Sequence, residues 1–203
     1  MELIRQIVRV GNSAGVILPR EWLNGEARIE LIAKPIDIKS KVFEILEDYL
    51  EDVQGIYLVG SYARNEKTEK SDIDILAITN KTDRKVDRGK FNILLISKAK
   101  VENALENNVL PNLPMLREAK PLLNKNLIEN YAKTPLTWTN LRFHIESTKS
   151  ILNVNKERIE LDRLYGKTND AVSYSLILRL REIYIVDCLV KGKMWSSKEL
   201  LNL

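Results

Sequence analysis

Hydrophobic and polar residues change their spacing along the chain, and each spacing predicts a different element. Residues 3–10 and 14–18 are rich in Ile and Val, which predicts two short strands joined by a turn at 11–13. A further short strand is predicted at 27–33, and Pro35 closes this segment. The first part of the chain is therefore predicted to be a small β segment.

The middle of the chain is predicted to alternate helices and strands. From Asp37 the apolar residues recur at helical spacing, which predicts a helix that Gly55 ends. Charged residues at 80–90 predict a loop, and helical spacing resumes at 98–107. Short and mainly apolar runs predict three strands, at 56–59, 73–79 and 91–96.

Beyond three prolines the chain is predicted to be helical to its last residue. The turn at 166–169 separates two long helices and predicts an antiparallel pair. We expect domain boundaries near residues 35 and 115, which gives the segments 1–35, 36–115 and 116–203. The predicted helices lie at about 124–133, 139–164 and 170–191, with a short one after Ser196.

Composition excludes several classes of protein. The 203 residues are 44% apolar, which is enough for a packed core, and no apolar run reaches the length of a membrane span. The single Cys188 excludes a disulfide framework and a thiolate zinc cluster, and the single His144 leaves no set of histidine ligands. A cytoplasmic protein without membrane partners is therefore expected.

The net charge of +4 is small but unevenly distributed. Residues 36–75 hold 10 acidic and 5 basic side chains, whereas residues 76–100 hold 2 and 7. Such an arrangement suits a site for metal and phosphate, but a solvated helix face followed by a basic loop explains it equally simply. No concentrated basic stripe of a strong nucleic-acid binder is present.

The most informative residues follow the strand predicted at 56–59. Gly60 permits a sharp turn and a close ligand, Ser61 adds a hydroxyl donor, and a helix at 61–66 would direct free N–H groups at phosphate. Asp72 and Asp74 leave the same face of a strand and repel each other unless a cation lies between them. Oxygen ligands without His or Cys favour Mg²⁺ or Mn²⁺. The alternative is a polar loop in which Asp72 caps a turn, but this spacing is rare by chance.

This segment resembles the GSx10DxD signature of the minimal nucleotidyltransferases, the MNT group of the DNA polymerase β superfamily. The resemblance covers about residues 37–110 and implies an α+β fold with a small mixed sheet flanked by helices. It also implies that ATP or another nucleoside triphosphate binds between the turn and the acidic pair. Gly60 and Ser61 would hold the triphosphate, Asp72 and Asp74 would hold magnesium, and Arg64 would contact phosphate or brace the turn.

One position departs from this family pattern. The family places a third carboxylate on the next strand, where this chain has Asn92. An asparagine can ligate a metal through its carbonyl oxygen but cannot accept a proton from the nucleophile. Asp87 precedes the strand, although its predicted loop position argues against a role. We expect activity to be retained but weakened.

Residues 9–23 resemble the AbrB/MazE swapped-hairpin family through Val-Gly-Asn-Ser followed by Leu-Pro. The resemblance implies a homodimer and, for many members, DNA binding, for which Arg9, Asn12 and Arg20 are the candidates. Val8 and Ile17 stand where related proteins often carry basic residues, so dimerisation is favoured over strong DNA binding. An edge elaboration of the catalytic domain is the alternative.

The expected function is Mg²⁺-dependent transfer of a nucleoside monophosphate, with ATP as the expected donor, to a hydroxyl of a protein or small molecule. One role open to such an enzyme is that of the antitoxin of a toxin–antitoxin pair, with a tyrosine or serine of the toxin partner as acceptor, and the sequence does not choose between this acceptor and a small molecule. The alternatives are an AbrB-type DNA-binding regulator or antitoxin with a degenerate, nucleotide-sensing transferase domain, and a nucleotide-binding scaffold that needs a toxin. The helical C-terminus has no arginine at the HEPN ribonuclease spacing before His144, so ribonuclease chemistry is not expected.

Overall fold

The computed structural model describes residues 3–31, 36–166 and 170–202. Contacts between residues divide the chain into two compact units, residues 1–36 and residues 37–203. None of the helices in the described ranges combines the length and apolar character that a membrane crossing requires.

The first unit contains a small antiparallel hairpin. Strands β1 (Ile7–Val10) and β2 (Ser13–Val16) pair around the turn at Gly11 and Asn12. A single 3₁₀ turn follows at Arg20–Trp22. Our prediction of a strand at 27–33 is wrong over the described residues 27–31, which form no strand, and its remaining residues lie outside the described ranges.

The second unit is built on a five-stranded sheet in the order β5-β6-β4-β3-β7. Strands β4 and β6 are parallel, whereas the other three pairs are antiparallel, so the sheet is mixed. This sheet with its flanking helices confirms the predicted α+β fold class. Its strands are β3 (Val53–Val59), β4 (Ile73–Thr79), β5 (Arg84–Arg88), β6 (Phe91–Ser97) and β7 (Lys120–Leu123).

Helices pack on both faces of this sheet, and each face has its own core. One core joins Val42 and Leu46 to Ile73 and Ile75, and the other joins residues such as Leu113 to the opposite sheet face. The helices are α1 (Ile38–Ile45), α2 (Gly60–Ala63), α3 (Lys98–Asn107), α4 (Asn112–Glu118), α5 (Lys125–Ala132), α6 (Trp138–Tyr165), α7 (Asp170–Val190) and α8 (Ser197–Leu200).

The structure corrects three element predictions. Helix α1 ends at Ile45, and Gly55 lies inside β3, where an added Cβ would overlap the Tyr57 side chain. The predicted loop at 80–90 contains β5, and the segment predicted as wholly helical contains β7. Both are edge strands, whose solvent exposure on one side permits charged residues and a proline, so the apolar pattern of a strand is absent.

The C-terminal segment contributes to the sheet as well as to the helices. Strand β7 pairs with β3, and α4 and α5 pack on the sheet through Leu116 and Ile128. Residues 37–203 group as one compact unit in the described structure. The three-part domain division stays a prediction, with the added observation that the segment after residue 115 supports the sheet.

Candidate active site

The turn after β3 approaches the middle of the sheet closely. Gly60 opens the short helix α2 with φ at +69°, and a Cβ at this position would overlap Asp74 Oδ2. Only glycine combines this backbone conformation with the close approach. The turn and Asp74 therefore form one packed unit, with Ser61 half-buried beside it.

The two candidate metal carboxylates differ in environment. Asp74 lies inside β4 and is partly buried, whereas Asp72 precedes the strand and is exposed. Burial raises the pKa of Asp74, the charge of Asp72 raises it further, and the neighbouring Asn92 side chain favours the charged form. A cation at this position would relieve the repulsion between the two carboxylates.

The composition of the site fits Mg²⁺ or Mn²⁺. The described ranges hold no group of three or more His, Cys, Asp or Glu side chains arranged for a metal ion. The oxygen donors beside the turn are the carboxylates of Asp72 and Asp74, and Asn92 stands opposite Asp74 on the next strand and hydrogen-bonds to its carboxylate. Hard oxygen donors of this kind suit magnesium.

The sheet aligns a third acidic residue with this pair. Asn92 stands opposite Asp74 in the β4–β6 register and opposite Asp87 in the β5–β6 register. Paired residues of neighbouring strands point to the same face, so Asp87, Asn92 and Asp74 form one row. Our expectation that Asp87 lies in a loop is wrong, because β5 continues the sheet; its carboxylate pairs with Lys85 Nζ at 3.1 Å.

Arg64 braces the turn through two ion pairs. Its Nη1 donates to Glu118 Oε2 at 2.6 Å and its Nε donates to Glu66 Oε2 at 2.9 Å. Although burial disfavours its charge, the hydrogen bonds to these two carboxylates raise the pKa of Arg64. Its side chain is 9% exposed and the Trp195 ring lies 4.0 Å from Cζ, so the guanidinium is enclosed.

Glu118 contacts the turn although no sequence motif predicts that it does. Its Oε1 accepts the N–H of Gly60 at 2.7 Å, and burial raises its pKa while Arg64 and Gly60 favour the charged carboxylate. Glu118 stands in a short helix far from the glycine in sequence, where a single acidic residue looks like any exposed one. The burial of its carboxylate marks Glu118 as a functional candidate, and only the tertiary structure shows this burial.

The DNA-binding candidates lie in the first unit. Arg9 Nε donates to the carbonyl of Gly11 at 2.9 Å, so this side chain supports the hairpin turn. Asn12 is exposed in that turn, and Arg20 is exposed in the following 3₁₀ turn. Their role in DNA binding stays a prediction.

Comparison with known proteins identifies several similarities, and one of them lies within the second unit. Residues 39–134 match the family model described as "Nucleotidyltransferase domain". Two proteins of Methanocaldococcus jannaschii are similar to the chain. "Putative protein adenylyltransferase MJ1547" is 26% identical over 131 residues, which cover 61% of this chain and 98% of that protein. "Putative protein adenylyltransferase MJ0128" is 50% identical over 48 residues, which cover 24% of this chain and 48% of that protein.

A solved structure is also similar, the nucleotidyltransferase-like protein from Exiguobacterium sibiricum. Its sequence identity is 16% and its TM-score is 0.43, and the similarity covers 79% of this chain and 60% of that one. The family model and the two curated relatives confirm the resemblance to the MNT-like enzymes, whereas the AbrB-like interpretation of residues 1–35 stays a prediction.

Proposed function

We propose a specific reaction for this chain, which is a nucleotidyltransferase enzyme of the MNT-like type. It transfers AMP from ATP to a hydroxyl group of a protein, with Mg²⁺ or Mn²⁺ bound. The observation that carries the proposal is the packing of the Gly60 turn against Asp74. A triphosphate held at the turn then lies beside the carboxylates that a divalent cation would neutralise.

Each residue of the site has a defined task in this reaction. Gly60 and Ser61 would hold the triphosphate, Arg64 braces the turn, and Asp72 and Asp74 would hold the metal, with Asn92 beside Asp74 as a neutral neighbour. The bound metal supplies charge neutralisation at the phosphates. The acceptor oxygen attacks the α-phosphorus, the bond to the bridging oxygen breaks, and pyrophosphate leaves. Catalysis by the protein therefore consists mainly of positioning.

The proton of the acceptor hydroxyl requires a base that Asn92 cannot provide. We assign this task to Asp87, because its carboxylate is in the same row as Asn92 and Asp74. Asp87 stands two strands away from Asp74, farther than a residue on β6 would be. This longer separation supports retained but weakened activity.

The acceptor class is proposed from the names of the relatives. Both Methanocaldococcus jannaschii proteins carry names that specify protein adenylyltransferases, which favours a protein hydroxyl over a small molecule. We propose Tyr or Ser as the modified residue, on a toxin for which this protein serves as the antitoxin. Because the reaction consumes ATP, we propose the cytoplasm as its location.

A second function is proposed for residues 1–35. Most side chains of β1 and β2 are exposed, among them the apolar Ile7, Val8 and Val10. A two-stranded hairpin is marginally stable in isolation, and a second hairpin would cover this apolar surface. We propose that the segment forms a homodimer, with weak DNA binding through Arg9, Asn12 and Arg20 as the regulatory alternative.

The experiment that tests the reaction compares two positions of a radioactive label on ATP. Incubation with Mg²⁺ and candidate acceptor proteins transfers label from the α-phosphate but none from the γ-phosphate. Asp72→Asn and Asp74→Asn abolish transfer, whereas the control Asp187→Asn, at an exposed position of α7, retains it. Transfer of the γ label, or α-label transfer that survives in both site variants, contradicts the proposal.

A further inference from the structure

A single buried carboxylate touches both ends of the short helix α2. Glu118 is the last residue of α4, and its side chain is 4% exposed. One of its oxygens accepts the Gly60 N–H at 2.7 Å and the other accepts Arg64 Nη1 at 2.6 Å. Gly60 begins α2 and Arg64 follows its last residue. The Glu118 carboxylate therefore holds the whole turn.

The turn held in this way packs directly on Asp74. The space between Gly60 and Asp74 is too small for one added Cβ atom. Asp74 has little freedom to move, because β4 is hydrogen-bonded to a strand on each side. The placement of the turn relative to Asp74 consequently depends on the other contacts of the turn, among them its two hydrogen bonds to Glu118.

Arg64 has several partners in the same arrangement. Besides Glu118 it contacts Glu66 and the Trp195 ring. Glu66 in turn accepts a short hydrogen bond from the Ser196 hydroxyl and the N–H of Ser197 at 3.4 Å. Charge-assisted hydrogen bonds and a cation–π contact are strong where water is excluded. Moving Arg64 toward a phosphate would leave two enclosed carboxylates without this partner.

We propose that Glu118 is a positioning residue of the nucleotide site, which sets the placement of the Gly60–Ser61 turn beside Asp74. In this arrangement Arg64 is the counter-ion of Glu118 and not a ligand of the phosphates. The inference rests on the proposed function, because it concerns the turn that holds the triphosphate. Its consequence is that Glu118 controls the use of ATP without touching ATP.

Glu118→Gln tests the role of the charge. Glutamine keeps the volume and an oxygen for the Gly60 N–H but no longer pairs with the Arg64 guanidinium. A misplacement of about 1 Å can cost about 100-fold in rate, so we expect kcat/KM for ATP to fall by about that factor while KM for the acceptor stays near the wild-type value. The matched control is Glu129→Gln, an exposed residue of α5 that pairs with Lys125.

The double variant Glu118→Gln/Arg64→Met separates a counter-ion from a phosphate ligand. If Arg64 serves Glu118, the second substitution removes a cation that has already lost this partner, and ATP binds no more weakly than in Glu118→Gln alone. Arg64 also pairs with Glu66, so the unfolding free energy of the double variant is measured beside its ATP affinity. A further loss of ATP affinity in a double variant that is as stable as Glu118→Gln would show that Arg64 contacts phosphate, and would overturn the counter-ion assignment.

Glu118→Asp covers the case in which the glutamine variant does not fold. Aspartate keeps the charge but is one methylene too short to reach both partners, so we expect a smaller loss of kcat/KM for ATP in a folded protein. Wild-type kinetics in this variant overturn the proposal. ATP binding by the wild-type protein is measured first by calorimetry. If the wild-type protein does not bind ATP, the proposed function is overturned as well. If the wild-type protein binds ATP and the Glu118 variants keep wild-type kcat/KM for ATP, only the positioning role is overturned.

Discussion

Two turns of this protein have similar local sequences and very different surroundings. Val10-Gly11-Asn12-Ser13 joins the strands of the hairpin, and Val59-Gly60-Ser61-Tyr62 follows the central strand β3. Both glycines have positive φ angles, +59° at Gly11 and +69° at Gly60. By local conformation alone the two glycines are nearly equivalent.

The difference lies in what the rest of the chain places around each glycine. Apart from Gly11 itself and its two chain neighbours, no described residue lies within 4 Å of a Cβ added at Gly11, whereas a Cβ added at Gly60 overlaps Asp74. The Gly60 N–H is bonded to a buried carboxylate, while Arg9 donates to the Gly11 carbonyl at an exposed position. A glycine turn becomes a candidate binding site only when the tertiary structure brings charged groups to it.

The comparison is tested most severely by the same substitution in both turns. Gly60→Ala forces a Cβ against Asp74, so we expect activity to fall by about 100-fold or more. Gly11→Ala has no such contact and loses only about 1 kcal/mol of local stability from its positive φ. Label transfer and thermal unfolding measure the two effects. Wild-type activity in Gly60→Ala would show that the close approach to Asp74 does not govern the site.

The next largest effect is expected on kcat, from substitutions in the row formed by Asp87, Asn92 and Asp74. Asp87→Asn removes the proposed base, and we expect kcat to fall about tenfold or more with ATP binding unchanged. Asn92→Asp adds a carboxylate nearer to Asp74 and should raise turnover if the missing base limits the rate. Steady-state kinetics at saturating ATP decide between these roles. Unchanged kcat in Asp87→Asn would show that Asp87 takes no part.

Removal of the hairpin is expected to abolish dimerisation and to change label transfer only slightly. A chain that lacks residues 1–35 keeps the unit at 37–203 and should retain label transfer. We expect it to lose dimerisation, because the exposed apolar side chains of β1 and β2 are gone. Light scattering measures the mass in solution. A deletion variant that remains dimeric would place the dimer interface outside residues 1–35. A salt-sensitive complex with DNA that survives the deletion would show that residues 1–35 do not contact the DNA.

The smallest expected effect is on the pH dependence of stability, and it belongs to the second unit. Burial lowers the pKa of His144 below its ordinary value of 6.5, Glu182 opposes this shift and Arg179 adds to it. The unfolded chain then binds a proton more readily, so the free energy of unfolding falls as pH decreases through 6.5.

Urea unfolding between about pH 8 and about pH 5 measures this effect. His144→Gln should weaken the pH dependence, whereas deletion of residues 1–35 should leave it unchanged, since the chain has a single histidine. An identical pH dependence in wild type and His144→Gln would contradict the burial argument.

Much of the sheet could be predicted from the sequence because its central strands are apolar. The boundaries of β4 and α3 are those predicted, and the long helices α6 and α7 begin and end within one residue of their predicted limits. The edge strands β5 and β7 were not predicted, because charged residues and a proline are permitted where one side faces water.

The local sequence by itself determined the glycine turn, the acidic pair and the apolar strands that lead into them. These features depend on backbone conformation and on side-chain spacing along one segment. The tertiary structure alone decided that Glu118 reaches Gly60 and that Asp87 joins the row of Asp74. Such contacts join residues far apart in sequence or in the sheet, and their free energy depends on burial, which no local pattern specifies.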